Sequence, residues 1–224
     1  MTAAAPHPGG RRFATVVLDV DSTLAGIEGI DWLADRRGGD TAAFVRGLTA
    51  DAMAGRIALD EAYARRLDRV APTREEIREL AGAYCASVAP GARDAIERLQ
   101  REGVRVVAMS GGLSEALLPL CRETSIADAD VFAVSLTWDA EGGYAGFDRT
   151  SPLVTQHGKA VLLRSLGLPR PILAVGDGST DLAMKTDGAA DAFAAYVGFV
   201  ERAAVVGAAD NTLRSFADLV RLVT

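Results

Sequence analysis

Two aspartates that follow a short apolar run have the residue type and the spacing of a catalytic pair. Residues 16–18 read Val-Val-Leu, and Asp19 and Asp21 follow with Val20 between them. A short β-branched run without alternation is typical of a strand buried on both faces of a parallel sheet. In extended chain the two carboxylates lie on one side, where their repulsion favours a cation or a proton between them. The alternative is an ordinary polar turn, because Asp, Ser and Thr are also favoured at the start of a helix.

Two further apolar runs end in small polar residues. Residues 104–109 run into Ser110, Gly111 and Gly112, and residues 171–175 run into a Gly-Asp-Gly-Ser-Thr-Asp segment. The carboxyl ends of the strands in a doubly wound sheet meet at one edge, so the three loops are predicted to converge. Ser110 and the glycines offer a hydroxyl and backbone N–H groups that could hold an anion at the start of the next helix. An ordinary turn between strand and helix is the alternative.

The third of these segments carries Asp177 and Asp181, whose oxygen atoms suit Mg²⁺. Lys159 precedes that strand and would supply the positive charge that balances an acidic pocket and a phosphate. Each residue also has a plainer interpretation, since an Asp beside Gly is often a helix N-cap and most lysines are exposed. Together with Asp19 and Asp21 they predict a site for a metal ion and an anion.

The elements that position these residues are predicted to alternate between strands and helices. The segments 92–102, 113–122, 158–166 and 212–220 have the pattern of helices, and 190–195 that of a further strand. A hairpin is predicted around Glu141, with residues 131–138 and the chain from Tyr144 onward as its two strands.

The chain between the first two predicted strands has a different hydrophobic pattern. Apolar residues recur there at helical spacing, as in the stripe formed by Leu59, Tyr63, Leu67 and Val70. Thr73 and Glu76 predict a capping box at the start of one helix. We therefore expect an α/β fold: a Rossmann-like, doubly wound parallel sheet core with an inserted helical cap. The predicted domains are a flexible tail (1–12), the core (13–23 and 88–224) and the cap (24–87).

Composition limits the possible partners. The chain has 224 residues, and its 24 Lys and Arg against 30 Asp and Glu give a net charge of −6, which argues against nucleic acid as a partner. No uninterrupted apolar run is long enough for a transmembrane helix, and the N-terminal residues lack the apolar core of a signal peptide. Cys85 and Cys121 have no metal-ligand spacing and are expected to be free thiols. We expect a cytoplasmic protein without a membrane partner, either a monomer or a homodimer.

Taken in order, the motifs of this sequence resemble those of a known family. They are Asp19-Val-Asp-Ser-Thr, Glu28-Gly-Ile-Asp, Ala52-Met53-x-Gly55, Ser110-Gly-Gly, Glu141-Gly-Gly-Tyr-Ala-Gly-Phe-Asp148, Gly176-Asp-Gly-x-Thr-Asp181 and Asp191-Ala-Phe193. With Lys159 they resemble the haloacid dehalogenase-like phosphatases, and among these the phosphoserine phosphatases of animals, over nearly the whole chain from Val16 onward.

The resemblance implies a role for each catalytic and metal-binding position. Asp19 would be the nucleophile that becomes an aspartyl phosphate, and Asp21 the acid that protonates the leaving alkoxide. Ser110, Gly111 and Lys159 would hold the phosphoryl oxygens. The resemblance implies Mg²⁺ as cofactor, with the ligand set Asp19, Val20 through its carbonyl, Asp21, Asp177 and Asp181.

The resemblance also implies a substrate slot in the cap. Glu28 would meet an ammonium group, Arg66 a carboxylate, and Met53 would form an apolar wall; Thr180 and Arg202 match further positions near the substrate. An Arg fork suits a carboxylate, although from the residues alone Arg66 and Glu28 could be ordinary surface charges.

The implied function is Mg²⁺-dependent hydrolysis of a small phosphate monoester, O-phospho-L-serine. The chain departs from the family at Leu113, where Phe is common, and at Val134 and Ser135, where Asn and Arg are common. These departures motivate an alternative substrate, namely another small phosphorylated amine or amino acid. The sequence also leaves open a phosphotransferase and a phosphate-responsive binding module without turnover.

Overall fold

A parallel sheet forms the centre of the molecule. The computed structural model describes residues 12–53 and 56–224, so the predicted tail lies outside the described residues except for Arg12. The strands are β1 (Thr15–Leu18), β2 (Arg105–Leu113), β3 (Val131–Val134), β4 (Leu136–Trp138), β5 (Tyr144–Phe147), β6 (Ile172–Gly176), β7 (Ala192–Tyr196) and β8 (Asn211–Leu213). Six of them form one sheet in the order β3-β2-β1-β6-β7-β8, with every neighbouring pair parallel.

Ten α-helices accompany the strands in the described part of the chain. They are α1 (Gly29–Arg36), α2 (Gly39–Met53), α3 (Leu59–Val70), α4 (Arg74–Ala86), α5 (Ala92–Arg101), α6 (Ser114–Glu123), α7 (Gly158–Ser165), α8 (Ser179–Thr186), α9 (Ala203–Ala208) and α10 (Phe216–Val223). None of the helices in the described residues is both long and apolar enough to cross a membrane. The predicted α/β fold with a parallel sheet is confirmed.

The strand order places the predicted chemistry at one point of the sheet. From β1 the chain winds to one side through β2 and β3, and then returns to the other side through β6, β7 and β8. Ligands in such sheets bind at the carboxyl ends of the strands where this direction reverses. That point lies between β1 and β6, whose residues Leu18 and Val175 are paired. Because β1 has neighbours on both sides, its apolar residues are completely buried.

Five helices, α1 to α5, lie between β1 and β2, and the first four of them form the segment predicted as a cap. The described residues between Gly29 and Ala86 contain no strand. The chain leaves and re-enters the core side by side, since the Gly26 N–H donates to the Ser87 carbonyl at 2.9 Å and the Ala89 N–H to the Leu24 carbonyl at 2.8 Å. The division into cap and core at residues 24 and 87 stays a prediction.

Local signals fix several element ends. The predicted capping box of α4 is confirmed, because the Glu76 N–H donates to Thr73 Oγ1 and the Thr73 N–H donates to Glu76 Oε2. The hairpin around Glu141 is also confirmed, with β4 and β5 antiparallel. Its first strand was predicted too long, however, because residues 131–134 form β3 and join the main sheet.

Two further predictions of element ends were wrong. The segment 212–220 is not one helix: Asn211–Leu213 adds β8 to the sheet, and α10 begins only after Ser215, whose hydroxyl accepts the Asp218 N–H. Strand β2 does not end at Met109 but continues to Leu113, with a break in its pairing with β3 between these two residues. Ser110, Gly111 and Gly112 therefore lie in extended chain before α6, and not in its first turn.

Candidate active site

Three buried carboxylates meet at the reversal point of the sheet. Asp19 follows β1, Asp177 follows β6, and Asp181 lies in the first turn of α8. An oxygen atom of each lies within 4.8 Å of the others, and all three side chains are buried. Hard oxygen ligands at this spacing fit a divalent cation such as Mg²⁺.

A buried lysine joins two of these acids. Lys159 in α7 donates from Nζ to Asp19 Oδ1 at 2.5 Å and to Asp181 Oδ1 at 2.6 Å. Burial alone would lower the pKa of Lys159, but the Asp181 and Asp19 carboxylates raise it above its ordinary value, so the ammonium group stays charged. Lys159 thus supplies a fixed positive charge beside Asp19.

The carboxylates themselves are held in an unfavourable environment. Burial and the nearby Asp181 carboxylate raise the pKa of Asp19 well above its ordinary value, and the same two causes raise that of Asp177 to about 6. The cluster has three acids and two cationic partners, Lys159 and Arg202, the latter donating to Asp177 Oδ2. The excess of negative charge in a buried place favours binding of a cation.

Close packing at a glycine brings Asp181 into this cluster. A Cβ atom on Gly176 would lie 2.2 Å from the Asp181 carboxyl carbon, so only glycine fits at the end of β6. The Gly178 N–H then donates to Asp181 Oδ2 at 2.9 Å, which satisfies one of the free N–H groups at the start of α8.

The side chain of Asp21 lies outside the three-acid cluster. Its Oδ1 accepts hydrogen bonds from the Gly29 N–H at 2.8 Å and the Tyr84 hydroxyl at 2.6 Å, and its Oδ2 accepts one from Ser110 Oγ at 3.0 Å. The chain turns directly after it through Ser22, whose positive φ of 54° is uncommon for a residue with a side chain. The carboxylate of Asp21 thus points toward Ser110 and lies outside the three-acid cluster, and Asp21 as a metal ligand stays a prediction.

Val20 was also expected as a metal ligand, through its carbonyl oxygen, and this stays a prediction. That oxygen accepts the N–H groups of Thr23 at 3.2 Å and Ala25 at 2.9 Å. These two hydrogen bonds stabilise the turn that follows β1.

Ser110 and the glycines after it line the same pocket as the acids. Ser110 is buried, and its Oγ also accepts the Gly112 N–H at 2.9 Å. A Cβ atom on Gly112 would lie 2.9 Å from Asp21 Oδ2, so the glycine allows this close approach. The carbonyl of Gly111 accepts the Tyr63 hydroxyl at 2.8 Å, which connects α3 to this segment.

Glu28 and Arg202 form a second charged pair beside the cluster. Glu28 Oε1 accepts a hydrogen bond from Ser22 Oγ at 2.8 Å and lies 3.6 Å from Arg202 Nη2. Partial burial and the Asp21 carboxylate raise the pKa of Glu28 to about 7. Glu28 thus sits at the edge of the site, where a cationic group would offset its repulsion from Asp21.

Arg66 in α3 reaches the same pocket with part of its guanidinium unpaired. Its Nη2 lies 3.3 Å from Asp31 Oδ1, whereas its buried Nε has no hydrogen-bond partner within the described structure. Only 14% of the side chain is exposed. A buried donor without a partner is costly, so this group is suited to an anionic ligand. Thr180 lies half-buried in the first turn of α8.

One pocket contains most of the predicted residues. Its lining includes Asp19, Asp21, Glu28, Arg66, Ser110, Gly111, Lys159, Asp177, Thr180, Asp181 and Arg202. The side chain of Met53 lies outside the described residues. Sequence reasoning missed the contacts of Tyr63 and Tyr84, because a tyrosine in a helical apolar stripe gives no sign that its hydroxyl reaches a functional group.

Comparison with known proteins agrees with this geometry. The model of the haloacid dehalogenase-like hydrolase family matches residues 16–185. Phosphoserine phosphatase from Bos taurus is 35% identical over 208 residues, covering 92% of this chain and 91% of the relative. The chloroplastic phosphoserine phosphatase of Arabidopsis thaliana is 32% identical, covering 94% and 72%. A phosphoserine phosphohydrolase-like protein from Francisella tularensis superposes with a TM-score of 0.84 at 25% identity, covering 94% and 99%.

The chain therefore belongs to the haloacid dehalogenase-like hydrolases. Within them it belongs to the phosphatase family that contains the phosphoserine phosphatases.

Proposed function

We propose that this protein hydrolyses O-phospho-L-serine to L-serine and phosphate. The observation that carries the proposal is the arrangement of two aspartates in one pocket: Asp19 beside Lys159 and two further acids, and Asp21 held apart by uncharged donors. The first environment suits a nucleophile that acts beside a cation. The second suits a group that exchanges a proton.

The first chemical step forms a bond from a carboxylate oxygen of Asp19 to phosphorus. As the ester P–O bond breaks, the leaving oxygen takes a proton from Asp21 and departs as the serine hydroxyl. Lys159, already beside Asp19, offsets the negative charge that the phosphoryl group brings to the nucleophile.

The second step returns the enzyme to its starting state. Asp21, now a carboxylate, takes a proton from a water molecule whose oxygen bonds to phosphorus. The bond from phosphorus to the Asp19 oxygen breaks, and phosphate leaves while Asp21 keeps the proton for the next cycle. Ser110 and Gly111 line the same pocket and are suited to hold the phosphoryl oxygens through both steps.

Asp19, Asp177 and Asp181 are the residues that would hold Mg²⁺. A bound Mg²⁺ would neutralise charge on the phosphoryl oxygens and orient them for in-line attack.

Charges at the edge of the pocket support an amino acid as the leaving group. Glu28 would meet the ammonium group and Arg66 the carboxylate. The supporting observation is that the buried Nε of Arg66 has no hydrogen-bond partner among the residues that the structure describes. Val134 is buried and Ser135 exposed, and neither is among the described residues that line the pocket. This departure from the family pattern therefore gives no reason for a different substrate.

Covalent labelling tests the proposal. We expect wild-type protein mixed with ³²P-labelled phosphoserine and quenched in acid to carry label on Asp19. Asp19→Asn should carry none, because an amide is not a nucleophile of this kind, whereas the exposed control Asp40→Asn should be labelled as the wild type is. Equal labelling of Asp19→Asn would contradict the assignment of the nucleophile.

A further inference from the structure

A buried tyrosine from α4 contacts the aspartate that exchanges the proton. Tyr84 is fully buried, and its hydroxyl donates to Asp21 Oδ1 at 2.6 Å. The Gly29 N–H donates to the same oxygen at 2.8 Å. A Cβ atom on Gly29 would lie 2.2 Å from the Tyr84 hydroxyl oxygen, so the absence of a side chain at position 29 makes room for this contact.

These donors make the two oxygens of Asp21 unequal. A carboxylate oxygen has two lone pairs, and the hydrogen bonds from Tyr84 and Gly29 occupy both on Oδ1. Oδ2 contacts Ser110 Oγ at 3.0 Å and lies close to Gly112. A proton on Asp21 is therefore confined to Oδ2, the oxygen that faces the segment suited to the phosphoryl group.

We propose that Tyr84 is a positioning residue that fixes Oδ2 of Asp21 as the oxygen that delivers the proton to the leaving group. This inference rests on the proposed phosphatase mechanism. In the step concerned, Asp19 bonds to phosphorus, the ester P–O bond breaks, and its oxygen takes the Oδ2 proton to leave as an alcohol. Without the Tyr84 hydroxyl, Oδ1 has a free lone pair, and the carboxyl group can hold the proton there, away from the leaving group.

The dependence of the rate on the leaving group tests this role. Tyr84→Phe removes the hydroxyl and little volume. We expect its kcat/KM for phosphoserine to fall about 10-fold or more, because a serine alkoxide needs protonation to leave. For p-nitrophenyl phosphate, whose nitrophenolate leaves without a proton, we expect a fall of less than about threefold. A purely structural role would lower both values together.

A matched control separates this effect from the loss of any tyrosine hydroxyl. Tyr144 in β5 makes the same kind of bond, its hydroxyl donating to Asp68 Oδ1 at 3.0 Å, and it is not among the described residues that line the pocket. Tyr144→Phe should leave kcat/KM unchanged for both substrates. If Tyr84→Phe does not fold, 4-fluorophenylalanine at position 84 fills the space of the hydroxyl without donating a hydrogen bond and should show the same selective loss.

Equal losses with the two substrates, or no loss with either, would overturn the role of Tyr84. Failure of the proposed substrate gives a different result: the wild type would prefer another alkyl phosphate over phosphoserine. In that case the ratio of that alkyl ester to p-nitrophenyl phosphate tests Tyr84 in the same way.

Discussion

At the scale of single residues, the surroundings of each aspartate decide what it can do. Asp19 and Asp21 are two positions apart, yet Asp19 meets a lysine and two acids whereas Asp21 meets three donors without charge. A charged partner stabilises a carboxylate that attacks and then carries a phosphoryl group. The uncharged donors around Asp21 fix the orientation of its carboxyl group, with Oδ2 toward Ser110.

Arg66 provides a prediction at this scale. Removing its guanidinium with Arg66→Ala should weaken transition-state binding of phosphoserine by about 2–4 kcal/mol, the range for truncating one member of a buried charge pair. That loss corresponds to a fall in kcat/KM of about 30-fold or more. Phosphoethanolamine has no carboxylate, so its hydrolysis should change little.

The neighbouring Arg65 is a matched control for this experiment. It is exposed and pairs with Glu61 on the helix surface, so Arg65→Ala should leave both substrates unaffected. Equal kcat/KM of Arg66→Ala and wild type on phosphoserine would contradict the assignment of Arg66 to the substrate carboxylate.

The family resemblance predicted Glu28, Arg66, Thr180 and Arg202, whereas residue types and spacing alone predicted the acids at the strand ends, Ser110, Gly111 and Lys159. They did not predict orientation. The turn at Ser22 separates the Asp21 side chain from the three-acid cluster and occupies the carbonyl of Val20, and this depends on backbone angles that the sequence does not state. The contacts of Tyr63 and Tyr84 depend on how the helices pack on the core.

At the scale of elements, α4 connects a local folding signal to the site. Its first turn carries the capping box of Thr73 and Glu76, and its last turns carry Tyr84. Glu76 also pairs with Arg37, which follows α1. The start of α4 thus stabilises the helix that brings Tyr84 to Asp21.

The charge of Glu76 makes this stabilisation depend on pH. Partial burial acts to raise the pKa of Glu76. The hydrogen bonds from Thr73 and the nearby charge of Arg37 have a larger effect in the opposite direction, so the pKa lies below its ordinary value of 4.5. Its contribution is therefore complete above pH 4.5 and is lost as the pH falls through the lowered pKa. Glu76→Gln keeps the capping bond but not the charge. It should reduce the free energy of unfolding at pH 7 by no more than about 1 kcal/mol, because the pair is partly solvated.

Urea unfolding of wild type and Glu76→Gln between about pH 3 and pH 7 measures this effect. The difference between them should shrink as the medium becomes acidic, and the exposed Glu75→Gln should show a smaller difference at neutral pH. A difference that grew toward low pH would contradict the stabilising role of the ionised Glu76 carboxylate.

A helix or a strand could be predicted from the sequence where residues close together in the chain determine it, as in the capping box of α4 and the hairpin of β4 and β5. Element ends were not predictable where tertiary pairing decided them. Residues 211–213 form a strand only because β7 offers them an edge. Ser110 to Gly112 lie in the break between two pairings of β2 with β3, and the sequence does not show that β2 continues through this break.

At the scale of the whole molecule, the sheet and the inserted helices α1 to α4 contribute different parts of the site. The reversal of strand order between β1 and β6 gathers Asp19, Asp177 and Asp181 from distant parts of the sequence. The helices α1, α3 and α4 add Gly29, Arg66 and Tyr84 to the same place. Chemistry thus comes from the sheet edge, and the contacts proposed for the serine moiety come mainly from the inserted helices.

The most direct test of this account is phosphate release from a panel of small monoesters, measured with Mg²⁺ and with EDTA. The panel contains phosphoserine, phosphothreonine, phosphoethanolamine and glycerol phosphate. We expect phosphoserine to be strongly preferred, because only an amino acid of this size satisfies both Glu28 and Arg66, and EDTA to abolish release. Preference for an ester that lacks the ammonium or the carboxylate group, or release that persists in EDTA, would contradict the account.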